Sequence, residues 1–92
     1  MYVVLIYDIR MDQQGVKIQR SIFKICKRFL IHVQHSVFEG ELTKSQFVAL
    51  KSELKQFLRP DEDSCILFVA RNNRWLEKEF LTSEVDQLSC FL

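Results

Sequence analysis

Glycine and proline are scarce in this chain of 92 residues, which holds two of the first and one of the second. With so few breakers, most of the backbone is expected in regular elements joined by short connections. Cysteine is nearly as rare: Cys26, Cys65 and Cys90 lie far apart, each in an apolar run. No CxxC or HxxxH pair exists, which argues against a zinc site. An odd set of separated thiols reads as small buried hydrophobes in a reducing compartment. No apolar run approaches the roughly 20 residues of a membrane span. The apolar start, Tyr2 to Tyr7, is broken by Asp8 too early for a signal peptide. The expectation is a cytoplasmic protein with no membrane partner. GxGxxG and GxxxxGK[ST] are also absent, so neither common nucleotide-binding loop is present.

What the chain does have is core material: 48% hydrophobic residues and eight phenylalanines. That is enough for one domain over residues 1–92, too short to fill two cores, and a second copy would add to its stability. Net charge is only +1, yet it is unevenly placed. Residues 1–38 carry six Lys/Arg against two Asp, and residues 39–92 carry seven against ten Asp/Glu. Such polarity either neutralises itself across the folded surface or turns one basic face toward a polyanion.

Tyr2-Val3-Val4-Leu5-Ile6-Tyr7 has the composition of a central strand buried on both faces. A polar loop ending in Gly15 follows. From Val16 to Leu30 the period is helical, with Ile18, Ile22, Phe23, Ile25, Cys26, Phe29 and Leu30 on one side and Lys17, Arg20, Lys24, Lys27 and Arg28 on the other. No acid lies between Asp12 and Glu39. A solvated face usually mixes signs to gain i,i+4 pairs, so this stripe points to phosphate, with a merely solvated face as the alternative. Gln34 to Leu42 reads as two short strands with the bend at Gly40; Val33, His35 and Val37 face one way, Gln34, Ser36 and Phe38 the other. Thr43-Lys44-Ser45-Gln46 is a capping box. It opens a helix with Phe47, Leu50, Leu54, Phe57 and Leu58 on its apolar face, and Pro60 stops it. Asp61-Glu62-Asp63 is expected as a solvated acidic turn and Ser64 to Ala70 as another central strand. An irregular charged segment from Arg71 to Asp86 follows, and the tail from Leu88 to Leu92 reads as a last strand. The order is α+β, a ferredoxin-like βαββαβ with an antiparallel sheet and an additional C-terminal strand. That strand would cover the edge of a second subunit, which predicts a homodimer.

Asp8, at the end of the first strand, is the sharpest chemical candidate. Read alone, an aspartate there more often caps its own turn. The functional alternative is a Mg²⁺ ligand, with a two-fold dimer bringing two such carboxylates together for metal-assisted phosphodiester hydrolysis. Tyr7 either stacks on a base or fills the sheet, and packing is the expectation. His32 and His35 flank Gln34 at a spacing that sets neither beside the other, each read as a half-buried strand histidine with one satisfied nitrogen, ahead of phosphate contact and then general acid work. Phe38 is either core or a dimer contact. Glu39 and Glu41 surround Gly40 at what reads as an exposed hairpin tip, the alternative being that one of them adds to a metal site.

Three segments, MYVVLIYDI, QHSVFEGEL and DSCILFVA, together resemble the Cas-two family, the small CRISPR-associated endonuclease that partners the spacer-integrating enzyme. The likeness covers nearly the whole chain, and the middle segment is the specific one. It implies a ferredoxin-like dimer whose C-terminal strands pair across subunits. It also implies Asp8 as the magnesium-coordinating, catalytic residue, RNA or DNA as substrate, and the Cas-one integrase as partner in spacer acquisition. Some members of that family act as scaffolds, so a catalytically silent dimer that holds DNA and bridges integrase dimers is the alternative. A toxin-like RNase of related fold rests on fold analogy alone. The chain departs from the family at His32, where many members carry a basic residue; a neutral imidazole there weakens any phosphate contact.

Overall fold

The computed structural model describes residues 1–82. In chain order these form β1 (Tyr2–Asp8), α1 (Gly15–Phe29), β2 (Ile31–Gln34), β3 (Val37–Glu41), α2 (Lys44–Lys55) and β4 (Ser64–Ala70), then a 3₁₀ turn over Asn73–Trp75. The strands make one sheet in the order β2-β3-β1-β4, with every pair antiparallel. This is the βαββαβ ferredoxin-like arrangement expected from the sequence. The additional strand over residues 88–92 and Cys90 lie outside the described residues.

Alternation along β1 decides which face is closed. Val3 and Leu5 are fully buried and Tyr7 nearly so, while Ile6 on the other face is 38% exposed and Asp8 is exposed. Ile18, Ile22, Ile25 and Cys26 of α1 and Leu50 and Leu54 of α2 join Val3, Leu5, Tyr7 and Phe38 in one core. Both helices therefore cover the same face. Each fully buried aliphatic side chain contributes about 1.5–3 kcal/mol. A like-charged i,i+4 pair on the outside of α1 costs a few tenths of that, so the apolar stripe decides the helix and the basic stripe is tolerated.

Local chemistry sets the ends. Both hydrogen bonds of the capping box are present: Thr43 Oγ1 accepts from the Gln46 N–H at 3.1 Å, and Gln46 Oε1 accepts from the Thr43 N–H at 2.9 Å. At the start of α1 the Asp12 carboxylate accepts the N–H groups of Gln14 and Gly15 at 3.1 and 3.0 Å. A side chain at Gly15 would overlap the Arg10 carbonyl oxygen, so only glycine fits beneath that loop.

Several expectations change. The bend of the hairpin is at His35 and Ser36, and Gly40 pairs with Val3 inside β3. Its missing side chain gives Leu30 room to close over the strand. A bulge between His32 and Gln34 breaks the two-residue alternation, so Val33 and Val37 line the open face while His35 lines the helix side. Glu39 is buried and paired with Lys78, rather than exposed at a tip. α2 ends at Lys55, leaving Phe57 beyond the helix and 40% exposed.

β1 is central but closed on one face only, and β4 pairs with β1 alone among the described residues. A continuous apolar run does not tell a strand buried within its own chain from one whose apolar face stays open. Here Ile66 opposes Ile6 and Phe68 opposes Val4 across β1–β4. Ile66 is 49% and Phe68 55% exposed.

Candidate nucleic-acid interface

Asp8 ends β1 opposite Ser64 of β4, exposed, on the open face beyond Ile6. No cation among the described residues engages its carboxylate. The loops on either side of it are held firmly. Arg59 sends Nη1 to both Asp12 oxygens at 2.8 and 2.7 Å, Nε and Nη2 to Asp63 at 3.0 and 2.9 Å, and Nη2 also to the Arg10 carbonyl at 3.0 Å. Asp63 in turn accepts the backbone N–H of Arg10 at 3.1 Å and of Arg59 at 2.9 Å. One guanidinium thus ties the segment after Asp8 to the segment before Ser64, with the planar fork geometry that suits arginine. Its hydrogen bonds hold the Asp12 and Asp63 carboxyls below the usual carboxylate range. The acidic turn is therefore not simply solvated, since the Asp63 side chain is wholly inaccessible. Arg10 pairs with Glu62 at the surface.

Magnesium binds through one or two carboxylates and keeps waters and phosphate oxygens as its other ligands. An uncommitted, exposed carboxylate on a fixed strand end fits one half of such a site. Among the described residues no group of three or more His, Cys, Asp or Glu could hold a metal ion, so a single copy does not complete it.

Lys17, Arg20, Lys24, Lys27 and Arg28 are all exposed on the outer side of α1. Arg28 pairs with Glu53 of α2 and lies over the Phe29 ring. The other four make no ion pair among the described residues. Their 3-4-3 spacing runs down one helix side for about 15 Å.

The first half of α1 and the β2–β3 turn enclose a cleft of about 420 Å³, lined among others by Tyr7, Arg20, Phe23, Lys24, His32 and Ser36. His32 meets Phe23 edge-on at 5.0 Å and Phe38 at 4.8 Å between centroids. Its Nε2 lies 2.8 Å from the His35 carbonyl oxygen. A carbonyl only accepts, so that nitrogen carries the proton. The half-buried histidine with a satisfied nitrogen is therefore found at His32. The turn brings the His35 carbonyl to the His32 ring nitrogen, so the two residues meet after all. His35 has φ +40°, uncommon for a residue with a side chain. Tyr7 is packed as expected, 6.2 Å from Phe38, and burial pushes its hydroxyl up to about 12. Burial likewise pushes the Cys26 thiol up to about 12, as an inert core residue.

Residues 1–78 match the family described as CRISPR associated protein Cas2. Over 92 residues the chain is 50% identical to the CRISPR-associated endoribonuclease Cas2 of Fusobacterium nucleatum, spanning 100% of this chain and 87% of that one. This chain belongs to the Cas2 family. A second relative, the CRISPR-associated endoribonuclease Cas2 of Methanosarcina acetivorans, is 37% identical over 81 residues, covering 88% of this chain and 87% of its own. The crystal structure of Streptococcus pyogenes Cas2 at pH 6.5 matches with a TM-score of 0.74 and 29% identity, over 87% of this chain and 99% of that chain.

Within this Cas2-family chain the fold sets Asp8 and the basic stripe on different layers. Asp8 lies on the open sheet face and the stripe on the outside of the helices. Phe38, left open between core and dimer contact, is fully buried against Tyr7, Phe23 and His32 and is a core residue. The Arg59 clasp and the cleft were not foreseen. Arg59 and Asp63 at i,i+4 were visible in sequence, but Asp12 stands 47 positions away from Arg59.

Proposed function

We propose that this chain is a nuclease subunit of the CRISPR adaptation machinery, using Mg²⁺ to hydrolyse phosphodiester bonds of single-stranded RNA or duplex DNA. It works as a homodimer alongside the Cas-one integrase. The observation that carries the reading is Asp8: an exposed carboxylate with no cation engaged among the described residues, on a strand end clamped from both sides. The relatives' naming as CRISPR-associated endoribonucleases supports the reaction class. Ile6, Ile66 and Phe68 give the open face an apolar patch beside Asp8, the kind of surface that pairs. A two-fold axis there would bring two Asp8 side chains together, and that pair would hold the ion.

Mg²⁺ held at Asp8 would acidify a water and neutralise charge on the phosphate. The chain's own residues do the rest. Asp8 holds the ion, Arg59 and Asp63 keep the strand end from shifting, and Lys17, Arg20, Lys24 and Lys27 take the phosphates of the bound strand. No helix of the described residues is long and apolar enough to cross a membrane.

One observation favours a second reading, the catalytically silent scaffold. The uncompensated cations lie on the helix layer, away from the Asp8 face, where they can hold duplex without bringing it to the carboxylate. Cleavage of labelled single-stranded RNA and duplex DNA with Mg²⁺ decides between them. For the nuclease, Asp8→Ala abolishes cutting by at least about 100-fold, as does a chelator, with nucleic-acid affinity within about twofold of wild type. A folded, DNA-binding wild type that cuts neither substrate leaves the scaffold.

A further inference from the structure

The cleft between α1 and the β2–β3 turn has a lining unlike the rest of the surface. Phe23 and His32 offer aromatic surface, backed by Phe38. Arg20 and Lys24, one helical turn apart, contribute two cations that no acid among the described residues neutralises, and no carboxylate lines the cleft. Ser36 and Gln19 add groups that both donate and accept hydrogen bonds. The volume of about 420 Å³ lies at the small end of ligand sites, which suits one planar ring with one anionic group and excludes a base pair. The turn holds His35 in the left-handed region, where a glycine would sit without strain. Such outliers persist only when the surrounding structure enforces them and they concentrate at binding sites.

We propose that this cleft takes one unpaired nucleotide of a nucleic-acid strand, its base against Phe23 and His32 and its phosphate on Arg20 and Lys24. The inference rests on the reading that the α1 stripe binds nucleic acid, and it names a feature of the ligand that the stripe alone does not select. Arg20 and Lys24 belong to both, so a strand lying along Lys27 and Lys24 reaches the cleft at the next turn. Paired bases are stacked and closed to such a pocket. A frayed end, an overhang or a single strand is open to it. Stacking of one base on an aromatic side chain is worth about 1–3 kcal/mol, so the selected ligand binds about 5- to 150-fold tighter.

The test uses the full chain and short duplexes, DNA and RNA, either blunt or with one unpaired terminal 2-aminopurine. The expected result is that binding dims the unpaired probe and that the overhang duplex of at least one nucleic acid binds about tenfold tighter than its blunt form. Val16 lines the cleft but is 50% exposed in the first turn of α1, so Val16→Trp fills the space without breaking the core. That variant loses the preference and the dimming, with blunt-duplex affinity unchanged. His35→Gly, which relieves the backbone, keeps the fold and weakens the preference in the same direction. Equal affinity for blunt and overhang duplexes of both kinds, or a preference that survives Val16→Trp, overturns the cleft and leaves the stripe standing. No binding to any duplex overturns the nucleic-acid reading itself.

Discussion

Two sets of cations on this molecule are used in opposite ways. Arg59 sits among Asp12, Asp63 and the Arg10 carbonyl, its donors taken up by oxygens of its own chain. Lys17, Arg20, Lys24 and Lys27 stand on a helix face with no acid beside them among the described residues. Arg59 is spent on architecture, closing two loops around the end of β1. The stripe has no ion pair among the described residues and leaves like-charge repulsion that a phosphate backbone would relieve. Between the two stands Arg28, on the same helix but already paired with Glu53. Where a cation finds its counter-charge separates the two jobs better than how many cations there are.

The largest effect is expected from breaking the saturated site. Arg59→Ala leaves two carboxylates facing each other's loops and should lower the thermal midpoint by on the order of 10 °C, read by circular dichroism. The same variant sharpens the electrostatics. Asp12 and Asp63 have native carboxyl pKa values below the ordinary one because Arg59 donates to them. Their contribution is fully present above the unfolded value near pH 4 and is lost as the pH falls through the native values. The midpoint gap between wild type and Arg59→Ala should therefore hold at neutral pH and close as the pH drops below about 4.

Next in size is reversal in the unsaturated set. Lys24→Glu with Lys27→Glu should weaken duplex binding by at least about tenfold and reduce the slope of log affinity against log salt by about 2, with the thermal midpoint unchanged or raised. An unaltered slope would show that the stripe is only solvated. The smallest effect belongs to the intermediate case. Neutralising Arg28 by Arg28→Gln should change affinity less than Lys27→Gln does, by about twofold against about fivefold, because Glu53 already screens it.

Much of the fold was legible because it rests on local rules. The helical stripe located α1 to within one residue at each end, and Thr43 and Gln46 marked the start of α2 through their side chains. His32 was readable as half-buried from its place in a strand; it packs against Phe23 and Phe38 on the core side, while Ile31 is exposed and Val33 lines the open face. What was not legible depends on partners far away in sequence. Asp63 looked like part of a wet acidic turn because Asp12 and Arg10, which complete its surroundings, come some 50 residues earlier. Gly40 looked like a bend because glycine also serves where another side chain, here Leu30, needs room. The bulge in β2 shifted His35 to the helix side, and a period of two cannot anticipate an extra residue. Asp8 was singled out by its place at the strand end, and the structure sets it on the exposed face that its even position in β1 implies.

That even position has a consequence for the neighbouring residue. Tyr7 lines the cleft under the helices and Asp8 faces out from the opposite side of the sheet, joined by a single peptide bond. The two surfaces are like the two sides of one coin. A slide of β1 along its own axis displaces both together, and a single-residue insertion or deletion upstream exchanges the phenol and the carboxylate between them. A change of length in the segment from Tyr7 to Asp8 therefore disturbs both surfaces at once, where a substitution disturbs one.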